Sequence, residues 1–421
     1  MLRVESLKQS PFIRNVFVFF SVMGPGIITA SVGNNSAGIA TYSLAGAHFG
    51  YSLLWSFLPM LLSLIAAQEM CARMAVATGK GLADLIREKF GVRITFYLML
   101  LLFFVNLFCI MAEFSGIAAS LEIFNVPKYV SVPMAGVLVW LLVVKGTYQF
   151  VERIFLVFSF FYFSYIISGL LAHPHWSDAL ERMIIPKFDL SFGATVMLIG
   201  MLGTTITPWM QFYIQSSIVE KRVSIADYKH IQLDVILGCA VACIVAFFIV
   251  VACAGTLYEG QVSVATVKDA ALALKPLAGP YASWLFAFGL FNAALFAVSI
   301  LPLSTAYSIC EGMGWEAGVD QRFQQAPQFF GLYTSMIAIG AGVVLIPHFP
   351  LLKMMYLSQV GNGILLPCVL VFILSLVNDK DIMGEFANNF SFNVIAWGTV
   401  GLTICLTVLM MYFLIFIPKA I

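Results

Sequence analysis

Charge is scarce in this sequence. Asp, Glu, Lys and Arg make up 10% of its 421 residues, whereas 61% are hydrophobic. A soluble domain carries roughly 25% charge because its surface faces water. A large water-exposed surface is therefore excluded, and most side chains must face lipid or one another. Cysteine pairing is missing as well: the eight cysteines include no Cys-X-X-Cys pair and mostly lie in apolar runs. They read as small membrane-buried hydrophobes, not as a disulfide or zinc framework. No excess of one sign appears, since the net charge is +1, and nothing in that balance calls for a nucleic-acid partner. A cleavable leader is not expected either. The apolar run that begins near Phe12 is too long for a signal core and lacks a small-residue cleavage box.

What is there instead is a series of apolar runs separated by polar clusters. They predict about eleven membrane spans, near 13–43, 48–76, 94–124, 129–146, 151–172, 192–219, 233–254, 279–311, 329–347, 350–376 and 391–417. Their odd number puts the termini on opposite sides. With the N-terminus cytoplasmic, the inside segments hold fifteen of the 22 Lys and Arg and the outside segments seven. That bias predicts a cytoplasmic N-terminus and an extracytoplasmic C-terminus.

Two spans are interrupted. In the first, Gly33-Asn34-Asn35-Ser36-Ala37-Gly38 breaks a long run at about mid-membrane depth, and in the sixth Thr204-Thr205-Ile206-Thr207-Pro208-Trp209 does the same. Backbone freed inside hydrocarbon must face a cavity, a ligand or protein, and its carbonyls can coordinate a cation. The breaks are five spans apart, which predicts two inverted five-helix repeats, 13–172 and 192–376, with an additional helix at 391–417, all within one transmembrane transport domain covering 1–421. The competing explanation is an ordinary small-residue packing face plus a proline kink.

The order of several short runs carries a resemblance. Gly24-Pro25-Gly26, Ala40-Thr41, Gly46-Ala47-His48-Phe49-Gly50-Tyr51-Ser52-Leu53-Leu54-Trp55, Ala75-Val76-Ala77-Thr78-Gly79-Lys80, Leu357-Ser358-Gln359-Val360, Pro367 and Asn378-Asp379-Lys380-Asp381-Ile382-Met383-Gly384 together resemble the natural-resistance-associated macrophage protein family of divalent-metal transporters. The resemblance covers most of the chain. It implies an all-α polytopic membrane fold, a LeuT-like inverted repeat of five plus five helices with an eleventh. It also implies a transporter, not an enzyme, with no catalytic residue and no cofactor beyond the transported ion, acting as a monomeric unit in a lipid bilayer, the bacterial inner (cell) membrane.

The chemistry-bearing positions depart from that family. Its first-span Asp-Pro-Gly-Asn is Asn35-Ser36-Ala37-Gly38 here, and its sixth-span Met-Pro-His is Thr207-Pro208-Trp209. A later histidine corresponds to Ile214, and a third-span Asp-and-Glu pair to Ile110 and Glu113. The thioether of the pattern is thus absent and the remaining donors are oxygens, which favour a hard ion. In this the chain is closer to a divergent magnesium-transporting branch of the family. The candidate metal residues are Asn35, Ser36, Gly38, Thr204, Thr207 and Gln359. Glu69, Glu113 and Trp209 are candidates for the vestibule or for coupling. Glu69 has two readings, a compensating charge or an ion pair with Arg73 four residues on. Glu113 likewise reads as a proton-labile group or as a structural hydrogen-bond acceptor.

The expected function is secondary transport of Mg2+, or else Mn2+, by alternating access with weak or absent proton coupling. The alternatives are transport of a small neutral organic solute on the same fold, and a transport-inactive receptor.

Overall fold

The computed structural model describes Gly26, Thr29 and residues 32–145, 163–171, 174–186, 189, 191–262, 264, 269–270, 279, 282–319 and 321–416. Most of the expected spans at 13–43 and 151–172 lie outside these residues, as do Arg3, Lys8, Arg14, Arg153, Lys187, Lys268, Lys275 and Lys419 of the orientation count.

The described residues are helical, with no strand among them. The elements are α1 Ser36–Phe49, α2 Phe57–Thr78, α3 Leu82–Phe90, α4 Val92–Glu122, α5 Lys128–Lys145, α6 Phe163–Leu171, α7 Trp176–Ile184, α8 Phe192–Thr205, α9 Pro208–Glu220 and α10 Tyr228–Cys253. After them come α11 Ala282–Met313, α12 Pro327–Val344, α13 Leu351–Val377, α14 Lys380–Met383 and α15 Phe390–Phe416. Among the described residues nine stretches are long and apolar enough to cross a membrane, α8 and α9 counting together as one. The chain is an integral membrane protein.

The helices form because the apolar runs leave backbone polar groups no partner but the chain itself. Long α4 lies at the centre and packs on α11 and α13, while α13 also packs on α8. Many large apolar side chains remain on the outside, Phe96, Phe104, Phe108, Trp284 and Val408 among them. In a soluble protein such a surface would aggregate; here it faces lipid.

Two boundaries differ from those expected. Half-helix α1 continues to Phe49, past the predicted end at 43, and stops where Gly50 adopts φ +56°, a left-handed conformation that glycine reaches without a Cβ clash. The second span therefore starts with the tight turn Leu54–Ser56 rather than at 48. Between the second and third spans lies amphipathic α3, which at nine residues is too short to cross a membrane.

Helix α3 is bolted to its surroundings by charge. Lys89 Nζ donates to the Ser375 carbonyl at 2.6 Å and lies 2.8 Å from Asp379 Oδ2. The lysine, with the Asp381 amide, holds the Asp379 carboxyl below its ordinary value of 3.8. A depressed carboxylate adds its stabilisation above the ordinary value and loses it as pH falls through the lowered one. Acidification below about pH 4 should therefore loosen the α3–α13 contact. The expected result is that the melting difference between unmodified protein and Asp379→Asn, clear at pH 7, shrinks as the pH drops. A difference that stays constant would mean that the ion pair is mechanically irrelevant.

Candidate functional site

The first break is built by local capping. Asn35 is extended (φ −62°, ψ 176°), and its Oδ1 accepts from the Gly38 N–H at 2.7 Å, a hydrogen bond that starts α1. The sixth-span break follows from Pro208. Standing four residues after Thr204 and having no N–H, it leaves the Thr204 carbonyl without a helical donor. Ile206 (φ −121°, ψ 64°) and Thr207 (φ −67°, ψ 138°) carry the chain through the gap in non-helical conformation.

The two breaks meet. A Cβ on Gly38 would fall 2.6 Å from Thr204 Oγ1, 2.8 Å from the Gly33 carbonyl oxygen and 3.2 Å from Asn35 Oδ1. Three oxygens thus converge on the one residue that offers no side chain to fill their centre. Thr204 Oγ1 also donates a long hydrogen bond, 3.4 Å, to the Gly33 carbonyl. Beside this point Gly33, Asn34, Tyr42, Leu64, Thr204, Thr205, Ala242 and Cys243 enclose a cavity of about 10 Å³, room for roughly one water. Asn34 Nδ2 donates to the Ala242 carbonyl at 2.9 Å, and the Tyr42 and Thr205 hydroxyls lie 2.8 Å apart.

Of the residues singled out from sequence, Asn35, Gly38 and Thr204 come together. Ser36 belongs to a neighbouring group. Its N–H and its hydroxyl donate to Glu113 Oε2 at 3.0 and 2.7 Å, and the Ala37 N–H reaches Oε1 at 3.4 Å. Glu113 on α4 therefore caps the N-terminus of α1 and satisfies donors that the break exposes. Thr207 is fully buried and its hydroxyl has no partner. The Gln359 side chain bonds to Ser358 and Asn362, whereas its backbone carbonyl presses on Gly203, next to Thr204. Trp209 is a fully buried ring, 6.3 Å from Tyr213, and its Nε1 is unpartnered.

Glu69 takes the ion-pair reading. Arg73 Nη2 stands 3.1 Å from its Oε2, and Tyr228 donates to its Oε1. Arg73 also donates to the Phe386 carbonyl at 3.2 Å and lies over the Phe392 ring. The pair ties α2 and α10 to the segment before α15, and both its members are engaged there.

The sequence reading missed Met210. Its Cε would lie 2.5 Å and its Sδ 3.9 Å from a Cβ on Gly33, a point 3.7 Å from the Thr204 carbonyl oxygen. Gln68 Nε2 is 3.9 Å from the same sulfur. A thioether is therefore present at the break, supplied three residues after Thr207 instead of at it. The short spacing was the available signal, since Thr207 caps α9 and Met210 follows within its first turn.

Residues 26–413 match the family model described as natural resistance-associated macrophage protein-like. The chain is 27% identical over 394 residues to a protein of Chromohalobacter salexigens named divalent metal cation transporter MntH, covering 90% of this chain and 88% of the relative. It is 27% identical over 415 residues to divalent metal cation transporter MntH 1 of Pseudomonas aeruginosa, covering 93% and 91%. In fold it is similar to the manganese transporter of Eremococcus coleocola, with TM-score 0.76 at 22% identity and coverage of 98% and 89%. The nucleobase-cation-symport-1 family transporter MHP1 shares the architecture at TM-score 0.57 and 13% identity, covering 92% of each chain. The broken sixth span, the all-helical membrane core and a family match across nearly the whole chain agree: this protein belongs to the natural resistance-associated macrophage protein-like family.

Proposed function

We propose that this protein moves a divalent metal cation across the membrane by alternating access, with weak or absent coupling to protons. The observation that carries the proposal is the convergence of Gly33, Asn35 and Thr204 oxygens on Gly38, beside the Thr204 carbonyl that Pro208 leaves free. The names of the metal-transporting relatives point to the same substrate class. Helix α8 directs its negative, carbonyl-bearing end at the meeting point, which favours a cation. Glu113 meanwhile covers the positive end of α1 that would repel one. The oxygen donors suit Mg2+ with part of its water retained. In our reading the N-terminus is cytoplasmic, and the repeats 13–172 and 192–376 rock against each other about the breaks.

Weak proton coupling is supported by the residues around the meeting point. Among the described residues no histidine stands at either break, and Glu113 is engaged by three donors of α1.

A second reading, a softer ion such as Mn2+, is favoured by one observation, the Met210 thioether beside Gly33.

Uptake of Mg2+ and Mn2+ into proteoliposomes at controlled membrane potential tests both, with a pH dye inside and Asn35→Asp in parallel. Saturable Mg2+ uptake without internal acidification is expected. Preference for Mn2+ that disappears in Met210→Leu would give the second reading the lead. Acidification that accompanies uptake and vanishes in Glu113→Gln would sink the weak-coupling claim. If neither ion enters, and activity appears only with Asn35→Asp, metal transport by the natural chain is refuted and the organic-solute reading takes its place.

A further inference from the structure

Below the break, the second half of the sixth span has polar groups that the candidate site does not use. Gln211 and Gln215 stand four apart on α9, and Thr207, the residue that caps it, precedes Gln211 by the same interval, so the three fall in one row. All three are fully buried. The Thr207 hydroxyl, both amide atoms of Gln211 and Gln215 Oε1 have no hydrogen-bond partner. Buried amides and hydroxyls almost always find partners, since leaving them bare in an apolar interior is costly. Four such atoms in one row make a polar surface that water or a hydrated ion would satisfy.

The stripe leads from the break to a closed end. At that end Gln215 Nε2 donates to the Lys80 carbonyl at 2.9 Å, and the neighbouring Gly81 packs directly against the Glu311 carboxyl. Glu311 Oε2 also lacks a hydrogen-bond partner, and Ser216, Asp84 and Glu220 lie around that carboxyl. A neutral polar row therefore opens onto an acidic mouth, and the Lys80–Gly81 segment covers it.

We infer that Thr207, Gln211 and Gln215 form the track along which a divalent cation, keeping part of its water, travels between the break and the Glu311 mouth. The inference rests on the cation-transport reading. Amide and hydroxyl groups suit this role because they can exchange hydrogen bonds with the ion's remaining waters without holding the ion tightly. The Lys80 carbonyl occupies the last amide of the track in the present state, so opening that end requires the Lys80–Gly81 segment to move.

The test compares unmodified protein with Gln211→Leu, which removes the bare polar atoms at nearly constant volume, and with Ser308→Ala. The Ser308 hydroxyl already bonds to the Ser304 carbonyl in its own helix, so its loss should leave transport unchanged. Equilibrium binding of Mg2+ and Mn2+, their initial uptake rates and thermal melting are measured on each. The expected result for Gln211→Leu is at least a tenfold fall in uptake, with binding retained and a melting point no lower than that of the unmodified protein. Uptake at the unmodified rate overturns the track. Absence of binding and uptake in the unmodified protein overturns the cation reading and the track with it.

Should Gln211→Leu fold poorly, Gln211→Cys provides a second measurement in a chain whose two exposed cysteines, Cys368 and Cys405, are replaced by serine. A membrane-impermeant thiol reagent added on the Lys80 side should modify Cys at this position during turnover, and saturating Mg2+ or Mn2+ should slow it at least fivefold. No modification under any condition overturns the proposal.

Discussion

Replacing Gly203 with alanine is expected to destabilise the protein by about 3 kcal/mol, the upper part of the range for overpacking a tight interface. Helices α8 and α13 cross at this residue. A Cβ there would overlap the Gln359 carbonyl oxygen and the Gly363 amide nitrogen, and it would sit 3.0 Å from Gly363 Cα. All three are backbone atoms, so no side chain can turn aside and the helices must separate. Gly363 has the reciprocal problem, since its Cβ would strike the Ile199 carbonyl. Small residues at both positions are what allow the two backbones to approach. Because Thr204 follows Gly203 directly, separation would also pull the freed carbonyl away from Gly33. Thermal melting in detergent should show a large loss for Gly203→Ala and Gly363→Ala. Gly401→Ala, where a Cβ meets nothing within 4 Å, should remain within about 0.5 kcal/mol. Equal melting of all three variants would show that α8 and α13 do not cross as closely as described.

The second large effect is expected at Glu113. Its carboxyl accepts from the Ser36 N–H, the Ser36 hydroxyl and the Ala37 N–H. Glu113→Ala strands three donors at a fully buried helix terminus, where each unsatisfied group costs roughly 1–3 kcal/mol. A loss of about 3 kcal/mol is expected after partial rescue by entering water. Cation uptake should fall at least tenfold, because the α1 terminus would then direct bare N–H groups toward the break. Glu113→Gln should be milder: one oxygen still accepts from Ser36, but the amide NH2 then opposes the Ala37 N–H. Melting and uptake measured on both variants test this. If Glu113→Ala melts like the unmodified protein, the cap contributes nothing and the residue's place in the site must be sought elsewhere.

The fold was legible because its causes are local or compositional. Scarce charge and long apolar runs require helices in lipid, and Pro208 interrupts the sixth span wherever that span packs. Nine membrane-crossing stretches among the described residues were legible for the same reason, whereas boundaries at Phe49 and Leu54 depended on a left-handed glycine that hydropathy does not register. The site was legible only in part. Asn35, Gly38 and Thr204 announced themselves by sitting in the breaks. Met210 did not, because a methionine in an apolar run looks like any core residue until its neighbours are known. Its thioether beside Gly33 favours a softer ion than the Mg2+ expected from oxygen donors alone.

From the sequence alone came a membrane-spanning helical chain, two interrupted spans five apart, and a family pattern whose carboxylate and histidine donors are replaced. Those conclusions rest on residue type and spacing, which need no knowledge of distant contacts. Tertiary structure alone decided that Glu69 is held by Arg73 and Tyr228, that Glu113 caps α1, and that Met210 reaches Gly33. Each of those outcomes depends on which side chains from separate helices share a buried space. A carboxylate or a thioether in a span has many possible partners, and only the packing of the helices selects among them.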